Sequence, residues 1–181
     1  MTDPREFDCR ETLRNGSVVR IRAVRSDDRE RLRKAFRQLD RESVYRRFFA
    51  FKDELSDEDL DRIVATNTDR EVALVVTVGE GAQEAIIASG RYIATGVEST
   101  GRTAEVAFIV EEDYHGLGIA RRLLAHLADI ARATGIVAFE AEVLADNRAM
   151  LAVFSRCGLP VQSQHDHGVV HVTLALQPNR G

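Results

Sequence analysis

Apolar and polar positions change period several times along the chain, and each change marks an element. From Val18 to Val24 apolar and basic residues alternate, the two-residue period of a strand with one buried face. Ser26, followed by Asp27 and Asp28, is expected to cap a helix to about Leu39, with both carboxylates where the helix dipole favours them. Ser56 and Asp59 have capping-box spacing, and Leu55 and Leu60 stand where a hydrophobic staple would join them. That pattern predicts a short helix to about Ala65. Two strands follow, Glu71 to Val78 and Ala85 to Ala94, joined by the turn Gly79-Glu80-Gly81-Ala82.

A further strand is expected from Thr103 to Val110, then a glycine-containing turn from Tyr114 to Gly118. Beyond it Ile119, Leu123, Leu124, Leu127 and Ile130 recur at helical spacing until Gly135 stops the run. Val137, Phe139, Ala141 and Val143 alternate with Glu140 and Glu142, a strand with one acidic face. Asp146 is placed to cap a helix from Asn147 to about Arg156, ended by Gly158. Val161 to Leu176 predicts one or two strands with a turn near Asp166-His167-Gly168. This order predicts a single mixed α/β or α+β domain with a mostly antiparallel sheet.

Composition narrows the class. At 181 residues, 44% hydrophobic and 30% charged, the chain can bury a continuous core without metal or disulfide staples. Its net charge of -4 argues against a nucleic-acid or anionic-membrane partner. Cys9 and Cys157 make neither a disulfide framework nor a zinc motif, so no metal is expected and a reducing cytoplasm is the default location. Residues 1–14 are polar and lack a signal peptide's apolar core, and no apolar run reaches the ~18 residues of a membrane span.

The stretch that carries chemistry is Glu105 to Val110, then His115-Gly116-Leu117-Gly118-Ile119-Ala120 and the helix beyond. Glycines before a helix let the backbone approach a ligand, and the first helical N–H groups lack internal partners. With the helix dipole they form an anion site suited to a pyrophosphate, to which Arg121 and Arg122 can add charge-assisted bonds. A Walker A loop would need Gly-Lys-Ser/Thr, which is absent, and Arg121 breaks a dinucleotide fingerprint at its third position.

His115 to Ala120 resembles the Q/R-x-x-G-x-G/A motif of the GNAT N-acetyltransferase superfamily, with His115 in the Gln/Arg place. Asp146-Asn147-Arg148-Ala149-Met150 to Cys157-Gly158-Leu159 is similar to that family's second motif, an Asn followed eleven residues later by Gly and an apolar residue. Within the superfamily the likeness is greatest to bacterial Pat-type protein lysine acetyltransferases. It rests on Glu42-Ser43-Val44-Tyr45-Arg46-Arg47-Phe48-Phe49, Asp69-Arg70-Glu71-Val72-Ala73-Leu74 and Leu144 to Met150. The resemblance implies an α+β GNAT fold over residues 18–176, with a mixed, mostly antiparallel sheet flanked by about four helices, after an N-terminal extension of residues 1–17.

It also implies acetyl-CoA as cosubstrate. The backbone of Phe108, Ile109 and Val110 would hold the pantetheine arm, the run His115, Gly116, Leu117, Gly118, Ile119, Ala120 and Arg121 the pyrophosphate, and Asn147 the arm from the next helix. The acceptor would be a primary amine, foremost a protein lysine such as one on an acyl-CoA synthetase, with a small amine or a non-catalytic acyl-CoA sensor as alternatives. The protein would act as a monomer or homodimer. A lysine ammonium is neutral in only about one part in a thousand near pH 7, so its deprotonation costs roughly 4 to 5 kcal/mol. Glu105 is the base that the resemblance indicates, with Glu140 and Glu142 in reserve. Where many relatives place a thiolate-protonating Tyr, seven residues after the motif Asn, this chain has Phe154; Tyr114 and Tyr45 are the candidate substitutes. His165, His167 and His171 with Asp166 read as a polar turn and strand rather than a metal site, and Cys157 as a packed residue.

Overall fold

Eight strands and five α-helices form the described residues, 3–96 and 101–176, of a computed structural model. In chain order they are β1 (Asp8–Thr12), β2 (Val18–Ala23), α1 (Arg29–Gln38), α2 (Arg41–Phe48), α3 (Asp57–Val64), β3 (Glu71–Val78), β4 (Ala85–Ala94) and β5 (Arg102–Val110). Then come α4 (Ile119–Ala133), β6 (Ile136–Leu144), α5 (Arg148–Ser155), β7 (Val161–Asp166) and β8 (Val169–Ala175). They make one sheet in the order β1-β2-β3-β4-β5-β6-β8-β7. Every neighbouring pair is antiparallel except β5 and β6, which α4 joins as a parallel crossover.

The two sheet faces carry different cores. On one, Ile119, Leu123, Leu124, Leu127, Ala128 and Ala131 of α4 pack over Val72, Leu74, Tyr92, Val106, Phe108 and Phe139. Gly90 makes that contact possible, because a Cβ there would meet the Phe108 ring at 2.8 Å and Leu127 at 3.2 Å. On the other, Leu32 of α1 and Leu60 of α3 cover Val24, Ala73, Val75 and Ile86.

Local signals explain most boundaries. Ser56 and Asp59 form the expected capping box, with Asp59 N–H donating to Ser56 Oγ at 3.1 Å and Ser56 N–H to Asp59 Oδ2 at 2.8 Å. Gly135 follows α4 with φ +81, a left-handed conformation that favours glycine.

Several expectations are corrected. Ser26 does not cap α1: it opens a single 3-10 turn, and the carboxylate of Asp28 takes the Arg25 N–H at 2.8 Å instead. Asp28 is buried because Arg22, fully buried on β2, pairs with it through two bonds of 2.8 Å and with Glu84 at 3.0 Å. Burial pushes the Asp28 carboxyl up, but Arg22 and the Arg25 amide outweigh it and hold it below its ordinary range. Asn147 rather than Asp146 caps α5. α2, which the sequence pattern did not place, is capped by Asp40, whose Oδ1 accepts from Ser43 N–H at 2.6 Å. Residues 8–12 pair with β2 as an edge strand.

Candidate active site

The parallel seam opens into a fork. β5 and β6 are paired only from Arg102↔Ile136 to Glu105↔Glu140. Each nevertheless stays paired on its outer side, β5 with β4 through Val110↔Ala88 and β6 with β8 through Leu144↔Val169. The gap belongs to the seam alone.

Strand alternation fixes which backbone groups face it. Glu111 N–H donates to Ile87 O at 2.9 Å and Thr103 O accepts from Thr95 N–H at 2.8 Å, so odd-numbered residues of β5 turn their peptide groups toward β4. Those of Val106, Phe108 and Val110 therefore turn into the gap, whereas Ile109 serves the β4 ladder. The His115 ring donates from Nε2 to Val110 O at 2.7 Å, which ties the mouth of the fork to the turn and leaves the Phe108 groups and Val110 N–H open.

A cleft of about 370 Å³ runs from the fork to the start of α4. Its walls include Phe108, Ile109, Val110, His115, Gly116, Gly118, Ile119, Ala120, Arg121 and Asn147. Leu117 is the exception in this run; its side chain packs on the main core. Gly118 is the N-cap of α4 with φ +83 and no side-chain cap, and Arg122 N–H to Gly118 O, at 3.2 Å, is the first bond of the helix. The N–H groups of Ile119, Ala120 and Arg121 are therefore left for an anion. Gly116, φ +75, has open space where a Cβ would stand. Asn147 accepts the Met150 N–H at 3.3 Å through Oδ1, so its amide NH2 is what remains for a ligand. An extended amide arm ending in a pyrophosphate fits these features, since β5 turns peptide groups into the gap and the start of α4 presents N–H groups beside flexible glycines.

Glu105 stands at the root of the fork rather than in the cleft wall. Its side chain is exposed on the face opposite α4, with Glu140 directly beside it on β6. Glu142, two residues on, lines the cleft and faces His171 of β8, whose Nδ1 lies 3.3 Å from its carboxylate. The three carboxylates thus share one side of the opening. Beside them, Arg47 of α2 lines both this cleft and a second, largely apolar groove of about 380 Å³ beneath α1 and α3. Burial and Arg91 push its guanidinium down to about 10, against the pull of Glu105, and it stays charged at neutral pH.

Residues to which the pattern reading gave no site role also line the cleft: Arg14, Ser43, Arg46 and Arg47. Ser43 Oγ donates to Glu112 at 2.8 Å and so latches α2 to the turn before α4. Arg46 and Arg47 lay in the stretch that carries the Pat-type likeness; Arg14 had no sequence signal. Phe154, in the place of the usual Tyr, is buried against Phe108 with ring centroids 6.1 Å apart. Of the two substitutes, Tyr114 lines the cleft, whereas Tyr45 is exposed and stacks on Phe51. Among the described residues one trio, Cys9, Glu11 and His126, has metal-ligand composition and proximity, but Glu11 is already bonded to Arg122 and His126. The histidines of the β7–β8 hairpin form no such group.

The fork, the glycine loop and the order of strands define an acetyltransferase of the GNAT type, and the pattern of the acetyltransferase (GNAT) family matches residues 29–159. The chain belongs to that family, whose members use acetyl-CoA. It is similar to the acetyltransferase Pat of Mycolicibacterium smegmatis, 32% identical over 92% of this chain and 48% of that protein, so it spans about half the length of that relative. An acetyltransferase of Pseudomonas aeruginosa is 31% identical over 89% of this chain and 86% of its own. Among solved structures, the GNAT domain of S. lividans PAT superposes with a TM-score of 0.83 at 35% identity, covering 93% of this chain and 96% of that one. No helix among the described residues is long and apolar enough to cross a membrane.

Proposed function

We propose that the protein transfers the acetyl group of acetyl-CoA to the Nε of a lysine on another protein in the cytoplasm, with Glu105 as general base. The observation that carries this reading is the set of carboxylates at the root of the fork. Glu105, Glu140 and Glu142 share one side of the opening, and their charge suits a cationic ammonium. The likeness to Pat proteins supports the choice of a protein lysine, and an acyl-CoA synthetase is the acceptor to try first.

The residues divide the work. Phe108 and Val110 present strand N–H groups to the arm and Ile119 to Arg121 present theirs to the phosphates, which orients the thioester at the fork. Glu105 removes the ammonium proton, directly or through a water, and the free amine forms the new C–N bond at the thioester carbon. The oxyanion that develops is stabilised by a backbone N–H turned into the gap. The C–S bond then breaks as Tyr114 gives a proton to the departing thiolate, and the second proton of the adduct nitrogen passes through water to the tyrosine, which restores it. A thiol pKa near 8.5 keeps the demand on that acid small.

The test is incubation of the protein with acetyl-CoA and candidate acceptors, reading free CoA and mapping acetyl-lysine by mass spectrometry. Stoichiometric CoA release with a modified protein lysine supports the reading. Turnover confined to small amines, or binding without turnover, would replace it.

A further inference from the structure

Arg122, at the start of α4, donates to Glu11 of β1 and to the Thr12 carbonyl at 2.9 Å. His126, one turn further along, meets the other Glu11 oxygen. Burial raises the Glu11 carboxyl, but Arg122 and His126 overcome this and hold it below its ordinary range, so it is ionised at neutral pH. These contacts strap the first edge strand across the beginning of α4.

The turn after β1 therefore overhangs the glycine loop. It is closed by Leu13 N–H to Ser17 O at 2.8 Å and Gly16 N–H to Leu13 O at 2.9 Å, and it carries Arg14. A Cβ built on Gly118 would lie 3.7 Å from Arg14 Nε and 3.8 Å from Nη2. Arg122 is committed to Glu11, whereas Arg14 has no acidic partner among the described residues and lines the cleft. A planar guanidinium thus hangs beside the free N–H groups at the start of α4, on the solvent side of the site.

We propose that Arg14 is a phosphate ligand for the acyl-CoA donor, delivered to the glycine loop by the Glu11–Arg122 strap. The N-terminal strand thereby sets the affinity for the phosphorylated donor. This rests on the reading of the cleft as the acyl-CoA site. The ligand chemistry is a phosphate, either the pyrophosphate or the ribose 3′-phosphate, and the fork of Arg14 suits bidentate contact with either.

Calorimetric titration of the full chain with CoA and with dephospho-CoA, which lacks the 3′-phosphate, tests this. Arg14→Ala should weaken CoA about tenfold, the ordinary scale for a lost charge-assisted contact, with the melting temperature unchanged. Arg14→Lys should recover part of the loss, because it keeps the charge without the fork. Arg37→Ala, which removes an equal charge from an exposed site on α1, should change nothing. A loss for CoA alone assigns the 3′-phosphate, and an equal loss for both nucleotides assigns the pyrophosphate. Glu11→Gln should weaken binding in the same direction by less; if it binds like wild type, the strap is not what positions Arg14. Arg14→Ala binding CoA as tightly as wild type would overturn the proposal. Failure of the wild-type protein to bind either nucleotide would instead bring down the acyl-CoA reading beneath it.

Discussion

Replacing Glu105 by Gln keeps the shape of the strand residue and removes its basicity. The side chain is exposed and bears on none of the buried core, so the fold and the affinity for acetyl-CoA should be unchanged. Loss of a positioned general base ordinarily costs about 10² to 10⁴ in rate. Here the lower end is expected, because Glu140 is the direct cross-strand neighbour, roughly 5 Å away, and can take the proton through a water. A loss of about a hundredfold in kcat/KM at pH 7 is therefore predicted for Glu105→Gln, with a further drop of about tenfold when Glu140→Gln is added. The deficit should shrink with pH: without the base, the rate follows the neutral fraction of free lysine, which rises tenfold per pH unit toward its pKa near 10.4. The assay is continuous thiol release with a lysine-bearing acceptor from pH 6.5 to 9.5. A variant within twofold of wild type throughout, or a deficit that does not change with pH, would refute Glu105 as the base.

Three other outcomes follow from contacts described above. Asp28→Asn leaves the buried Arg22 with Glu84 as its remaining acidic partner among the described residues and should destabilise the protein by about 3 kcal/mol, read by urea unfolding. The native carboxyl lies below its unfolded value, so its stabilisation is complete above a pH of about 4 and fades as pH falls through the native pKa; the gap between variant and wild type should narrow below about pH 4. Tyr114→Phe should lower kcat several-fold with KM for acetyl-CoA unchanged, and unaltered kcat would remove it as the acid. Gly90→Ala should cost about 1 to 3 kcal/mol in thermal unfolding, because its methyl meets the Phe108 ring at 2.8 Å.

The elements that sequence reading placed well are those with strong local chemistry. β3 and β4 were bounded as observed because turn glycines end long apolar runs, and α3 because Ser56 and Asp59 bond each other. β1 was invisible for a physical reason: as an edge strand of Asp8-Cys9-Arg10-Glu11-Thr12 it is half-buried at alternate positions and has no apolar run. α2 buries only Val44 and leaves Tyr45 and Phe48 exposed, so it carries no continuous apolar stripe. Within the site, the glycine loop and β5 were legible because backbone geometry demands those residues. Arg14 was not, because it reaches Gly118 across more than a hundred residues of sequence through a strap that no local pattern records. The pairing of Arg22 with Asp28 was equally hidden: alternation put a basic residue in β2 but could not show that it points into the core.

The fork also divides the sheet mechanically. Five strands on one side and three on the other are riveted by the few residue pairs from Arg102↔Ile136 to Glu105↔Glu140, with α4 as the brace across the break. A donor arm lying along β5 would supply part of the ladder that the seam omits, as a splint does. On the proposed reading the donor would be a temporary structural member of the sheet as well as a reagent.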